Sequence, residues 1–477
     1  MGCSISRPAT RIEPQNHNRK TPVAMSLKLP KIVDGVTTDA VMRIESLDAE
    51  TTTTSKRTPI GADEVSRVLR GGRDGRVLRK QTVLKADHYP SCHNPQLQEQ
   101  VEGAPNFRQP MEQQGLPVFG TAAPTHDGLV AVCERISPRK EPILWINLRQ
   151  EPMLYIHGRP FSVKERDEPF KAMENRGIQL ADVEQAEVLL KLEVIAEARR
   201  SGGRLLVLDE SPPATNSGLC AKGELLHYYE ANVSGATVWT PREMFELARL
   251  ELGVELSFHR VPITDEQAPH EEDFDAIVRH MQAAHAANPA TRYVFNCALG
   301  RGRTTSGLSI ACLTWRAIAN DSQRAAWDTS SIKMLPPPPV ATPDFAWGEY
   351  AAVVALTQLL PSGAERKAFV DCVIDANAHM QNLRADILPK KRAAENTDLA
   401  AKKREVALVT GRKYLERYMY LLLFNAYVCR KVDRKSSQYR PPLDSQRLPS
   451  FKEWLDEQGD ESIGRSLYPM LDGLTLE

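Results

Sequence analysis

A cysteine and an arginine with five residues between them, set between a β-prone run and a helix-forming run, constrain this chain more than any other feature. The segment reads Tyr293-Val-Phe-Asn-Cys297-Ala-Leu-Gly300-Arg301-Gly302-Arg303-Thr304-Thr305. Residues 293–295 suit a buried strand. From Thr304 onward, Leu308, Ala311, Cys312 and Trp315 recur at helical spacing, and Thr304 or Thr305 is able to cap the helix start. Gly300 and Gly302 permit a tight turn between the two, in which successive backbone N–H groups converge. Such a nest at a helix N-terminus is an anion site, and a phosphoryl group fits it. Cys297 makes the site reactive, because donors that hold phosphate also stabilise a thiolate. Arg303 closes the cradle, since a guanidinium grips two phosphoryl oxygens at once. Cys297, Arg303 and the loop residues Ala298, Leu299, Gly300, Arg301 and Gly302 therefore point to thiol-dependent cleavage of phosphate esters. The alternative is a buried, inert cysteine in a glycine-rich turn.

Composition narrows the class. The 477 residues carry 61 basic and 61 acidic side chains, so no global charge draws the chain to nucleic acid. Its eight cysteines form no C-x2-C pair, which argues against a zinc site or a disulfide framework and leaves a thiol nucleophile suited to a reducing compartment. No run approaches the ~18 apolar residues of a membrane span. No secretory signal peptide is expected. The opening Met1-Gly2-Cys3-Ser4-Ile5-Ser6 matches the myristoylation pattern at Gly2, with Cys3 placed for palmitoylation. One acyl chain anchors only marginally; Cys3 would supply the second, and Arg7, Arg11, Arg19, Lys20, Lys28 and Lys31 would add attraction to anionic lipid. An unmodified leader is the bland alternative.

Residues 1–75 read as a disordered leader, with Gly71 to Gly75 marking entry to the folded part. Strand-like runs at 143–148, 205–208, 255–261 and 293–295 then alternate with helical runs at 181–200, 241–252, 272–287 and 304–319. That alternation predicts an α/β domain over 76–330, a mostly parallel sheet with helices on both faces and Cys297 beyond a strand's carboxyl end. Residues 363–384 and 398–432 predict helices in a C-terminal extension, 331–477, whose aromatic stripe (Tyr414, Tyr418, Phe424, Tyr427) reads as core and which carries no catalytic motif.

Several segments resemble a known family. Trp145-Ile-Asn-Leu-Arg-Gln-Glu151 with Leu154-Tyr-Ile-His-Gly158 resembles the first strand pair of the tyrosine-phosphatase-like inositol polyphosphate phosphatases, or phytases. The match is stronger still to their eukaryotic paladin branch. Val83-Leu-Lys-Ala-Asp-His-Tyr-Pro90, Glu102-Gly-Ala-Pro-Asn-Phe-Arg108, Val118-Phe-Gly-Thr-Ala-Ala-Pro124 and Leu415-Glu-Arg-Tyr-Met-Tyr-Leu-Leu-Leu-Phe-Asn-Ala-Tyr427 resemble that branch as well. The resemblance implies a cysteine-dependent tyrosine-phosphatase-like fold; members of that branch often carry two or more such repeats, whereas one loop is found in this sequence, a single-repeat form. Asn296 departs from the histidine that most such phosphatases place before the nucleophile, although paladin-type loops share the asparagine.

Thiolate attack on a monoester needs an acid for the leaving oxygen. Asp265, in Val261-Pro-Ile-Thr-Asp-Glu-Gln-Ala-Pro269, follows a predicted strand on a proline-bounded loop and is the candidate. A turn aspartate capping its own backbone is the alternative. Glu266, Glu271, Glu272 and Asp273 are rivals that suit a helix N-terminus better. Thr304 is expected to hydrogen-bond the sulfur. The chemistry needs no metal or cofactor. Arg301 adds charge at the loop mouth and favours a polyanion, a phosphoinositide or an inositol polyphosphate; Arg149 either adds more or pairs with Glu151. The competing class is a phosphate-binding adaptor that keeps the cradle without turnover, with Asn296 as its mark.

Overall fold

The run ahead of Cys297 forms a strand at the centre of a four-stranded parallel sheet. The computed structural model describes residues 58–61, 63–66, 68, 73–87, 100–173, 177–210, 225–319, 344–433, 450–460 and 475–476. Among them, in chain order, β1 is Thr58–Pro59, β2 Thr82–Ala86, β3 Val118–Thr121, α1 His126–Ile136, β4 Ile143–Arg149, β5 Met153–Ile156 and β6 Arg159–Glu165. Then come α2 Leu180–Arg200, β7 Leu205–Glu210, β8 Leu225–Glu230, β9 Val238–Trp239, α3 Pro241–Leu252, β10 Leu256–Ile263, α4 Glu271–Ala287, β11 Arg292–Asn296 and α5 Gly302–Ile318. The C-terminal region holds α6 Ala351–Leu359, α7 Gly363–Asp375, α8 Ile387–Glu395, α9 Ala401–Asp433 and α10 Phe451–Asp460.

The parallel sheet runs β10-β4-β11-β3, with Asn296 opposite both Asn147 and Thr121. Both of its faces are covered, so the strands read as continuous apolar runs. Period-two alternation sorts them: Leu144, Ile146, Tyr293 and Phe295 join the core under α4 and α5, while Ile143, Trp145 and Val294 join the one under α1 and α3. Local chemistry fixes the ends of α3. Thr240 and Glu243 form a reciprocal capping box around Pro241, and Gly253 ends the helix at φ 56°.

A second, curled sheet was not legible in the alternation. It runs β1-β8-β7-β2-β6-β5-β9, with every pairing antiparallel except β2 with β7, and α2 packs on it. The run at 205–208 belongs here rather than beside β11. The leader boundary at 75 also moves. Thr58 and Pro59 pair with Tyr229 and Tyr228, and buried Arg73 makes a two-bond ion pair with Glu197 at 2.9 Å. A two-residue strand has no period, and the arginine's partner lies 124 residues away, so neither left a local mark. Gly2 and Cys3 lie outside the described residues.

The C-terminal region is helical, as expected, but it is no appendage. Thr54–Glu477 is one compact unit, and Leu415, Tyr418, Met419, Leu422 and Phe424 share a continuous core with Phe295, Leu308 and Trp315. The division at 330 therefore does not separate two cores. The aromatic stripe is buried at Tyr418, Phe424 and Tyr427 and partly buried at Tyr414. The helix expected over 363–384 stops at Asp375, because Asn377 donates back to the Val373 carbonyl and Asn382 caps the backbone of Arg384 and Ala385. The resulting turns, 376–386, reach the site.

Candidate active site

The loop after β11 is shaped from outside, by partners that take its carbonyls. Ala123 N–H donates to the Ala298 carbonyl at 3.1 Å, Asn106 Nδ2 to that of Leu299 at 2.7 Å, and Arg108 Nη1 to that of Gly300 at 2.7 Å. With these three carbonyls taken by partners outside the loop, the intervening N–H groups are left available for an anion, as a nest built on the glycines requires. Gly300 is at φ +70°, and a Cβ there would lie 2.6 Å from Ala122 N, so no other residue fits. Cys297 is buried at the start of this nest. Asn296 is buried too; it accepts from Trp145 Nε1 at 2.9 Å and points Nδ2 at the Cys297 carbonyl at 3.4 Å. It thereby ties the Cys297 backbone to β4.

A chain of alternating charges holds Arg303. Its Nη1 and Nη2 donate to the two oxygens of Glu151 at 2.7 and 2.9 Å, and its Nε lies 3.3 Å from Asp265 Oδ1. Glu151 also accepts from Arg149 Nε at 2.9 Å, and Arg149 is ion-paired with Asp87 at 2.8 Å. Burial opposes ionisation of Glu151, but Arg303 and Arg149 outweigh it and hold its pKa well below the usual carboxylate value. Burial likewise opposes the charge on Arg303, and Asp265 with Glu151 outweighs it, raising its pKa well above normal. Nearby Lys164 is pulled down by burial. Arg108, also buried, is lowered to about 10 by burial, against the pull of Cys297. Its Nη2 donates to Thr305 Oγ1 at 3.0 Å, so this one guanidinium joins the loop to the first turn of α5.

The structure brings Cys297, Arg303 and Asp265 into one site. Asp265 sits on the rim, its side chain 38% exposed, and its Oδ1 also accepts from Glu266 N at 3.2 Å. The backbone contact is that of a turn aspartate, made beside its contact with Arg303. Three of the rivals stay at a helix start: Glu271 accepts from Tyr420 Oη at 2.6 Å, Glu272 pairs with Lys452, and Asp273, raised to about 6 by burial, caps His270 N at 2.8 Å, whereas Glu266 lies in the turn beside Asp265 at φ 56° and not at the helix start. Thr304 requires correction. Its hydroxyl points at the Thr121 carbonyl, 3.4 Å away, instead of the sulfur, because the first turn of α5 carries it back toward β3. Arg149 is buried between two carboxylates and adds no charge for a substrate. Arg301 is exposed beside the loop, as its place in the sequence implied.

Sequence reasoning missed the supports. Asn106 and Arg108 lay in a segment carrying the family resemblance, which was their one signal; Glu151 was read as a partner of Arg149 alone. Arg417, on α9, lay in the Leu415–Tyr427 segment that also carries the resemblance, but nothing there placed it beside the loop. It is buried, and its Nη1 lies 3.8 Å from where a Cβ on Gly302 would be, with Gln381 Oε1 at 3.6 Å from the same point. Among the described residues no group of three or more His, Cys, Asp or Glu side chains is placed to hold a metal ion.

A cysteine at the head of an amide-lined loop closed by arginine, on a parallel sheet with helices on both faces, defines a tyrosine-phosphatase-like domain. The PTP-like phytase family, described by inositol hexakisphosphate, matches residues 146–315, and the chain carries that domain. Over a longer span it is paladin-like. It is 27% identical to Paladin of Homo sapiens, 28% to that of Gallus gallus and 29% to that of Mus musculus, each over 75% of this chain. The chain spans 36% of the human relative's length and 37% of the chicken's. Among solved structures, the PTP-like myo-inositol phosphatase from Mitsuokella multacida, in complex with myo-inositol-(1,3,4,5)-tetrakisphosphate, aligns at TM-score 0.45 and 13% identity. That alignment covers 79% of this chain and 48% of that one.

Proposed function

We propose that this chain is a cysteine-dependent phosphatase that hydrolyses phosphate monoesters on inositol rings. The observation that carries this reading is Cys297 at the start of a nest whose carbonyls are tied outward, with Arg303 at its other end. In the first displacement the Cys297 sulfur bonds to phosphorus as the ester P–O bond breaks, and Asp265 gives its proton to the departing oxygen. Loop N–H groups and the Arg303 guanidinium hold the equatorial oxygens. Water then attacks the cysteinyl phosphate, Asp265 takes its proton, and orthophosphate leaves with the thiolate restored. Glu151 acts by position: it fixes both Nη groups of Arg303 and so sets the plane of the clamp. Exposed Arg301 favours substrates with several phosphates. Acylation at Gly2 and Cys3 would bring the site to the cytosolic face of a membrane, where phosphoinositide head groups lie. Intact-mass measurement of the cellular protein, with fractionation of Gly2→Ala, tests that part; an unmodified, wholly soluble wild type rejects it.

The purified chain is expected to release orthophosphate from inositol hexakisphosphate or short-chain phosphoinositides in the presence of EDTA. A second reading, a phosphate-binding adaptor, draws on the same geometry: Asp265 rests against Arg303 at 3.3 Å, so the acid is engaged rather than free. Binding of these ligands without any release, in wild type and Cys297→Ser alike, favours the adaptor and overturns the enzyme.

A further inference from the structure

The arginines that border the phosphate loop are not alike. Arg303 is matched by Glu151 and Asp265, Arg108 is spent on Gly300 and Thr305, and Arg301 is exposed to water. Arg417 differs. It is 2% exposed, yet its Nε and Nη1 have no hydrogen-bond partner among the described residues. No ion pair accompanies it there; the Tyr414 ring lies beneath its guanidinium at 5.3 Å, and Asp265, Glu266 and Asp386 act on it only at longer range. Burying an arginine without partners is costly, and the cost persists only where the surrounding fold enforces it. Here α9 enforces it, because Leu415, Tyr418 and Met419 on either side of Arg417 are locked in the core. The guanidinium cannot swing out to water without unpacking that helix. Its Nη1 borders Gly302, the first residue of α5 and the last residue of the loop before Arg303.

We propose that Arg417 is a second phosphate-binding residue of this site, receiving a further phosphate of an inositol polyphosphate whose reacting phosphate occupies the Cys297 loop. The assignment rests on the phosphate-loop reading above and deepens it. At Arg303 an incoming anion competes with two carboxylates already present. At Arg417 it displaces none, and it supplies the acceptors that the buried donors lack. Gln381 stands beside it with its own Oε1 unpartnered among the described residues, so a bound phosphate would also draw the amide round to offer Nε2. A single orthophosphate in the loop has no second group to place there. Arg417 therefore discriminates polyphosphates from monophosphates.

The test is calorimetric and uses the full chain as Cys297→Ser, so that no ligand turns over. Inositol hexakisphosphate and orthophosphate are titrated into this protein with and without Arg417→Met. Losing charge-assisted hydrogen bonds of about 1.5–3 kcal/mol should weaken hexakisphosphate roughly 10- to 100-fold. Orthophosphate affinity should change by no more than about twofold, the usual limit for uncoupled sites. Arg417→Lys, which retains the charge but not the fork, should fall between. An equal loss for both ligands means that Arg417 only supports the loop, and no loss for hexakisphosphate removes it from recognition; either overturns the proposal. If Arg417→Met fails to fold by circular dichroism, Arg417→Lys decides, because an unchanged or equal response to the two ligands is again fatal. Absent turnover in the wild type, with this binding pattern intact, removes the enzyme reading and leaves the Arg417 assignment standing.

Discussion

Arg303 and Arg417 border the same loop, but their charges are settled in opposite ways. Arg303 sits in a chain of alternating charges, Asp87–Arg149–Glu151–Arg303–Asp265, in which each arginine touches two carboxylates. Arg417 sits on a helix locked in a hydrophobic core and touches none among the described residues. A paired buried arginine is stiff and well aimed, which suits a clamp on the reacting phosphoryl group. An unpaired one keeps its donors open for a ligand. The difference teaches that charge count alone is a poor guide to affinity, since what matters is how many of those charges the fold has already spent.

Four changes sharpen or break that contrast. The largest effect belongs to Cys297→Ser, expected to lower phosphate release by on the order of 10⁴-fold or more, as for other nucleophile deletions. Its melting temperature should stay close to that of wild type, because one small side chain replaces another; a matched collapse in stability would show that Cys297 is structural. Asp265→Asn should lower turnover of alkyl phosphates by about 10²–10⁴-fold, the usual worth of a positioned acid. An aryl phosphate, whose leaving group hardly needs a proton, should suffer less, and an equal loss on both would move the acid elsewhere.

Glu151→Gln tests the charge chain itself. Breaking a buried pair from one side should cost about 3–5 kcal/mol in denaturant unfolding. The pH dependence has a definite sign. Glu151 is held well below 4.5 in the fold and titrates near ~4.3 when unfolded, so its contribution is complete above about pH 5. It is lost as pH falls through the folded value. Wild-type stability should therefore drop below about pH 5 with a component that Glu151→Gln lacks; superimposable pH profiles would mean that the pair is not coupled to folding. The smallest effect is expected at Tyr418→Phe, which removes the Tyr418 Oη bond to Asp371 at 2.6 Å. About 1–2 kcal/mol of stability should be lost, with kcat unchanged, because this side of α9 serves packing and not chemistry. A fall in kcat at constant fold would bring Tyr418 into the site.

How much of this could be read from the chain follows from sequence distance. The nest lies between Cys297 and Arg303, its glycines and flanking periodicities are local, and so the loop, its strand and its helix were legible. The strand runs at 143–148 and 255–261 and the helices at 181–200 and 241–252 were legible for the same reason, with bounds close to those observed. The curled sheet was not, since β1 and β9 are two residues long and an antiparallel edge has no period to show at that length. Arg108 holds a carbonyl 192 residues away, and the Thr304 hydroxyl turns to one 183 residues away.

Residue types and short-range spacing determined that a thiol, a guanidinium and converging amides would meet at one turn, because backbone sterics within a strand–loop–helix unit leave few other arrangements. They also determined that both faces of the parallel sheet would be apolar. Only the tertiary structure decided which charges remain open. Glu151 reaches Arg303 across 152 residues, and α9 brings Arg417 to Gly302 by burying its neighbours in the common core. Electrostatic pairing in a low-dielectric interior depends on distances of a few ångströms, and distances of that kind between remote segments are set by packing.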